Sequence, residues 1–117
     1  MAVVSIGSTL EDQRELDTTT VEKCDLIICD APEEVMTETG DMIAANQANV
    51  SFHDKVISLN DLINGKANAR IAAARLPMFK SVGTALQDIT VAELAFDKAL
   101  KANLGTVLPI RFKDKLA

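Results

Sequence analysis

Ser81 and Gly83, within Phe79-Lys80-Ser81-Val82-Gly83-Thr84, have the residue types that hold an anion or a carboxamide. They fall near the start of a long amphipathic stretch. Free backbone N–H groups point outward at a helix start, and a serine hydroxyl adds another hydrogen bond. The plainer reading is a capping serine followed by a small residue for close helix packing. Other reactive side chains are sparse. His53 is the only histidine and stands alone, and no His, Cys or Asp cluster has the spacing of a metal site. Cys24 and Cys29 flank Asp-Leu-Ile-Ile. Inside one strand that odd separation sends them to opposite faces, which gives two reduced, half-buried thiols of a cytosolic protein. No nucleophile–base pair stands out.

Composition bounds what can position these groups. The chain has 117 residues, enough for one small domain, and 48% of them are hydrophobic, too many for a disordered chain. Four Phe are its only aromatic residues, so the core must be aliphatic. That inventory favours helices on a parallel sheet. A net charge of −5 with both signs interspersed argues against nucleic acid as a partner. Arg111, Lys113 and Lys115 read as a solvated basic tail. No run is long and apolar enough to span a membrane, and no signal peptide precedes the first strand; the expected location is cytoplasmic.

Ala2 to Ile6 reads as a strand ending at Gly7, with a charged loop from Leu10 to Leu16. Asp17 caps a brief helix from Thr18 to Lys23. Asp25 to Cys29 is a second strand, and its unbroken apolar run predicts cover on both faces. Asp30-Ala31-Pro32-Glu33-Glu34 starts a helix that should reach about Ala45, with Gly40 weakening its middle. Asn46 to Phe52 reads as a loop, Val56-Ile57 as a very short strand, and Ser58 to Gly65 as a capped helix. Lys66 to Arg75 reads as a loop. From Pro77 to Leu104 the spacing of Phe79, Val82, Leu86, Ile89, Ala92, Phe96 and Ala99 predicts one long helix of about 40 Å, closed by Gly105. So long a helix calls for a packing partner outside the chain. Thr106 to Ile110 reads as a terminal strand.

Taken in order, these stretches carry a family likeness. They are Val4-Ser5-Ile6-Gly7 with Arg14-Glu15-Leu16-Asp17, Cys24 to Asp30 with Glu38-Thr39-Gly40-Asp41, Leu59 to Lys66, and, most specific, Phe79 to Asp88. The chain resembles the C-terminal part of ornithine cyclodeaminase/mu-crystallin family proteins, which include imine reductases and alanine dehydrogenases. The resemblance implies a partial Rossmann-like, three-layer α/β fragment with parallel strands, flanking helices and a long C-terminal helix. Residues 1–75 would be the second half of a dinucleotide-binding domain. Residues 76–117 would pack on the dimerisation domain of full-length relatives. Those relatives use NAD or NADP, but the Gly-rich phosphate loop lies upstream of the region they share with this chain. Nothing here matches G-x-G-x-x-G, so no pyrophosphate cradle is expected and no cofactor should bind this chain alone.

The resemblance also assigns roles. Ser5, Ile6, Gly7 and Ser8 would run beside the nicotinamide, where a glycine lets backbone approach a flat ring. Ser81 would join them in holding cofactor, and Thr9 and Gly83 would face an amino- or imino-acid substrate. Thr9 takes the place of a proton-relay aspartate and Gln13 that of a lysine, which speaks against deamination with ring closure and for hydride transfer to an imine. Asp12 lies close enough to substitute for the aspartate, while Gln87 and Asp88 are family-typical but mid-helix. The leading expectation is a fragment or remnant of an NAD(P)-dependent oxidoreductase, inactive alone and homo-oligomeric. The alternative is a non-catalytic oligomerisation or small-molecule-binding module. A complete small enzyme built on Thr9 and Ser81 ranks last.

Overall fold

Leu26-Ile27-Ile28-Cys29 forms strand β2 and is buried at all four positions, as its unbroken apolar run requires. The computed structural model describes residues 1–110. Along it follow β1 (Val3–Ser5), α1 (Thr18–Lys23), β2 (Leu26–Cys29), α2 (Pro32–Glu38) and α3 (Gly40–Gln47). A short 3-10 turn (His53–Lys55) precedes β3 (Val56–Ser58), α4 (Leu59–Ile63), α5 (Asn68–Ala73), β4 (Pro77–Lys80) and α6 (Ala85–Lys101). The strands form one parallel sheet in the order β1-β4-β2-β3, with helices flanking it.

Register decides which side chains share a face. Val3, Met78, Ile27 and Val56 lie side by side, and two residues on so do Ser5, Lys80, Cys29 and Ser58. On that face Ile27, Cys29 and Met78 join Val21 of α1, Val35 of α2, and Met42 and Ala45 of α3 in the main core. Leu26 and Ile28 point to the other face, and both are buried. At the β1 end of that other face Val4 is 68% exposed.

Several expectations need correction. Pro77–Lys80 is a strand, not a first helical turn, and it fills the place between β1 and β2. Helix α6 therefore spans 17 residues, about 25 Å. The helix expected from Asp30 to Ala45 is broken at Thr39, whose backbone is extended. Gly40 does not weaken a helix interior; it opens α3. A Cβ there would collide with the carbonyl oxygens of Gln13 and Glu11, so glycine is what lets the 10–16 loop lie against the helix start. Asn68–Ala73, expected as loop, is helical. Thr106 to Ile110 carries no strand. Cys24 sits at the end of α1, outside β2, and both free thiols are fully buried in the same core. The basic tail lies outside the described residues.

The chain divides into two compact units, Met1–Thr84 and a second that begins at Ala85, so β4 belongs with the sheet. Within the second unit, α6 leaves Leu86, Ile89, Phe96 and Leu100 more than half exposed.

Candidate functional site

In a parallel sheet every strand ends on the same edge, and ligands of open α/β sheets bind outside that carboxyl edge. Here the edge gathers Ser5 to Ser8 at the end of β1, Asp30 after β2 and Ser81 to Gly83 after β4. Ser81 N donates to Ser5 O at 3.0 Å, which joins the β1 and β4 ends directly.

Lys80 organises the β1 side. Its side chain is fully buried, and Nζ donates to Ser5 Oγ at 2.7 Å, Gly7 O at 2.7 Å and Asp41 Oδ2 at 2.8 Å. Three acceptors match the three N–H donors of an ammonium. Ser5 Oγ in turn donates to Glu15 Oε2 at 2.6 Å, and Gly7 N donates to the same oxygen at 2.9 Å. Asp41 Oδ1 accepts from Glu15 N at 2.8 Å and Leu16 N at 3.0 Å. The loop between β1 and α1 is thus fastened at both ends to one buried ion pair.

Charge follows from this geometry. Burial pushes the Asp41 carboxyl up, but the Lys80 hydrogen bond, the Leu16 and Glu15 amides and the Lys80 charge together outweigh it and hold it below the usual range. The Ser5 hydroxyl, followed by the Gly7 amide, lowers Glu15 in the same sense.

Ser8 follows with φ 59°, a left-handed conformation uncommon outside glycine, and its Oγ donates to Gln13 O at 2.5 Å. Gly7 has a different constraint, because a Cβ there would run into the Glu15 carboxylate. Beyond this turn Ile6 is 70% exposed and Thr9 is exposed, as are Asp12 and Gln13.

Asp30 organises the β4 side. It accepts from Ser81 Oγ at 2.5 Å, Gly83 N at 3.0 Å and Val82 N at 3.2 Å. Burial raises its carboxyl, yet the Ser81 hydroxyl and the amides of Ala31, Gly83 and Val82 bring it down overall. Ser81 and Gly83 therefore precede α6, which begins at Ala85, and the N–H groups of Val82 and Gly83 are not free as expected; an internal carboxylate already occupies them.

Ser5, Gly7, Ser8 and Ser81 are brought together on one edge. Lys80, Asp41, Glu15 and Asp30 were missed as organisers of it. His53 lies elsewhere, stacked on Phe52 with ring centroids 4.6 Å apart. Gln87 and Asp88 lie in the first turn of α6. Ser5 and Lys80 juxtapose a hydroxyl and an amine, the pairing of some nucleophilic enzymes. Three acceptors saturate the amine and Ser5 is only 3% exposed, so this pair cannot act as nucleophile and base. Among the described residues no group of His, Cys, Asp and Glu is placed to hold a metal ion, and no helix is long and apolar enough to cross a membrane.

A parallel sheet with its polar groups collected on the carboxyl edge is the architecture of Rossmann-like α/β proteins. The sequence matches the ornithine cyclodeaminase/mu-crystallin family over residues 1–103, and the chain belongs to that family. It is 28% identical over 109 residues to an uncharacterised cyclodeaminase of Dictyostelium discoideum, covering 90% of this chain and 29% of that protein. It is 26% identical over 102 residues to a delta(1)-pyrroline-2-carboxylate reductase of Bacillus cereus, covering 86% and 31%. The Thermococcus litoralis delta(1)-pyrroline-2-carboxylate reductase, solved with NADH and L-proline, superposes with a TM-score of 0.81 at 33% identity, covering 92% of this chain and 33% of that one. The chain thus spans about a third of the length of these relatives.

Proposed function

We propose that this chain supplies the later half of an NAD(P)-binding sheet of an imine-reductase-like or amino-acid-dehydrogenase-like oxidoreductase and is redox-inactive alone. The observation that carries this reading is the carboxyl edge of the parallel sheet, where Ser5 to Ser8 and Ser81 to Gly83 meet, in a chain similar to a reductase solved with NADH. Among the described residues strand β1 pairs with β4, and residues 1–117 contain no G-x-G-x-x-G run. In this reading the carboxyl edge lies on the nicotinamide side, and a diphosphate would be gripped by a Gly-rich strand–turn–helix that residues 1–117 do not include. In this reading Ser5 to Ser8 and Ser81 face the cofactor, Thr9 and Gly83 face a small amino or imino acid, and hydride transfer is the chemistry served. A hydroxyl at Thr9 cannot take up a proton near neutral pH as a carboxylate does, which favours reduction over cyclodeamination.

The test has two arms. Titrating the chain with NADH and NADPH, followed by nucleotide fluorescence, should give no saturable response below about millimolar. Replacing the matching third of the Thermococcus litoralis reductase with residues 1–103 should give a hybrid that binds NADH. Micromolar binding by a single copy of the chain, or a folded hybrid that binds none, overturns the reading.

A second reading, a non-catalytic oligomerisation module, is favoured by the exposed apolar residues Leu86, Ile89, Phe96 and Leu100 of α6. Both readings call for self-association, which sedimentation or size-exclusion would reveal. A compact monomer would count against it.

A further inference from the structure

We infer that Lys80 is a positioning residue for the edge turn: its buried ammonium, rather than the β1–β4 ladder, holds the Gly7 carbonyl and the loop from Gly7 to Leu16 in a preformed shape. The ladder itself ends early. Register pairing of β1 with β4 stops at Ser5–Lys80, and Gly7 lies beyond the last paired residue. What reaches past that end is the Lys80 side chain, bonded to Gly7 O, Ser5 Oγ and Asp41 Oδ2 at once. Each partner passes the constraint on. Ser5 Oγ fixes the Glu15 carboxylate, which accepts the Gly7 amide, and Asp41 fixes the amides of Glu15 and Leu16. Gly7 is therefore held through both its carbonyl and its amide by one connected set, with Lys80 at the centre.

The arrangement also explains a buried lysine on a face that gives Ile27, Cys29 and Met78 to the core. A charge in that position fails to add apolar core, and its three bonds all run to the β1 end or to α3. The second support is the left-handed backbone of Ser8, next to Gly7. A serine stays in that conformation only where its surroundings determine it strongly. That the positioned turn serves a dinucleotide rests on the function proposed above; the positioning itself does not.

The test is residue-resolved amide hydrogen exchange on the whole chain without nucleotide, beside denaturant unfolding. In Lys80→Met, the amides of Gly7, Glu15 and Leu16 should exchange about tenfold faster or more, relative to those of Ile27 and Ile28 in β2. Because Lys80→Met also strands a buried carboxylate and can unfold the chain, Ser5→Ala serves as the second variant. It keeps the ion pair and should release Gly7 more than Leu16. Equal acceleration in loop and sheet would mean that Lys80 only stabilises the fold, and unchanged loop exchange in Ser5→Ala would remove the connected set; either result overturns the inference. Absence of NADH binding by the hybrid would leave these exchange ratios untouched, so the two claims fail separately.

Discussion

Lys80 Nζ lies 2.8 Å from Asp41 Oδ2 with both side chains fully buried, tying the last residue of β4 to the first turn of α3. Breaking such a pair from one side leaves a charge without compensation in the interior. Lys80→Met should cost about 3–5 kcal/mol in denaturant unfolding. The double variant Lys80→Met with Asp41→Leu should recover part of that loss. It cannot recover all, because the Glu15 and Leu16 amides lose their acceptor.

Acid should weaken the fold through Asp41 and Asp30. Both carboxyls are held lower in the folded chain than in the unfolded one. Their contribution is complete above the unfolded value of about 3.9 and is lost as pH falls through the lower folded values. Thermal unfolding followed downward from pH 7 should therefore show a steep loss below about pH 4. Asp30→Asn should flatten part of that slope, and an unchanged slope would show that Asp30 is not linked to folding.

Neither cysteine should behave as a reactive thiol. Burial, with the Asp30 charge adding to it against an opposing effect of Lys80, pushes the Cys29 thiol up to about 12. Burial raises Cys24 as well. A thiol-specific reagent at pH 8 should modify neither residue in the native chain and both after denaturation. Rapid labelling of native Cys29 would contradict its place in the core.

Two glycine substitutions should differ in a predictable order. A Cβ at Gly7 meets the carboxylate end of Glu15, which can swing aside at the loss of its bonds to Ser5 and Gly7. At Gly40 the obstacles are backbone oxygens, with Glu11 O only 2.6 Å from the added carbon. Gly40→Ala should cost about 1–3 kcal/mol, more than Gly7→Ala, as measured by unfolding.

Much of the sheet was legible because burial on both faces writes itself into β2 as an unbroken apolar run, and because Asp17 caps α1 through Thr20 N as its type suggests. Strand β4 was not. Phe79, Val82 and Leu86 are spaced by three and four, which imitates a helix, while the true period of two shows only in the alternation of burial along Pro77–Lys80. That single misreading hid Lys80 as well. A lysine in a helix reads as solvent-facing, and only in a strand does it share the face of Met78. Helix α5 was missed because Ala67 offers no side-chain cap. On the edge, Ser5 and Gly7 were singled out by resemblance and Ser81 also by its residue type, whereas Asp30 and Asp41 act across long sequence separations that no local pattern records.

In the isolated polypeptide β1 forms a border of the sheet, with a consequence for handling it in solution. Residues 2–6 read Ala-Val-Val-Ser-Ile, with no proline and no charge, and Val4 and Ile6 stand 68% and 70% exposed. Strands of that composition recruit further strands without regard to their source, which is how insoluble deposits begin. Lysine placed at Val4 should therefore raise the soluble yield of the isolated polypeptide.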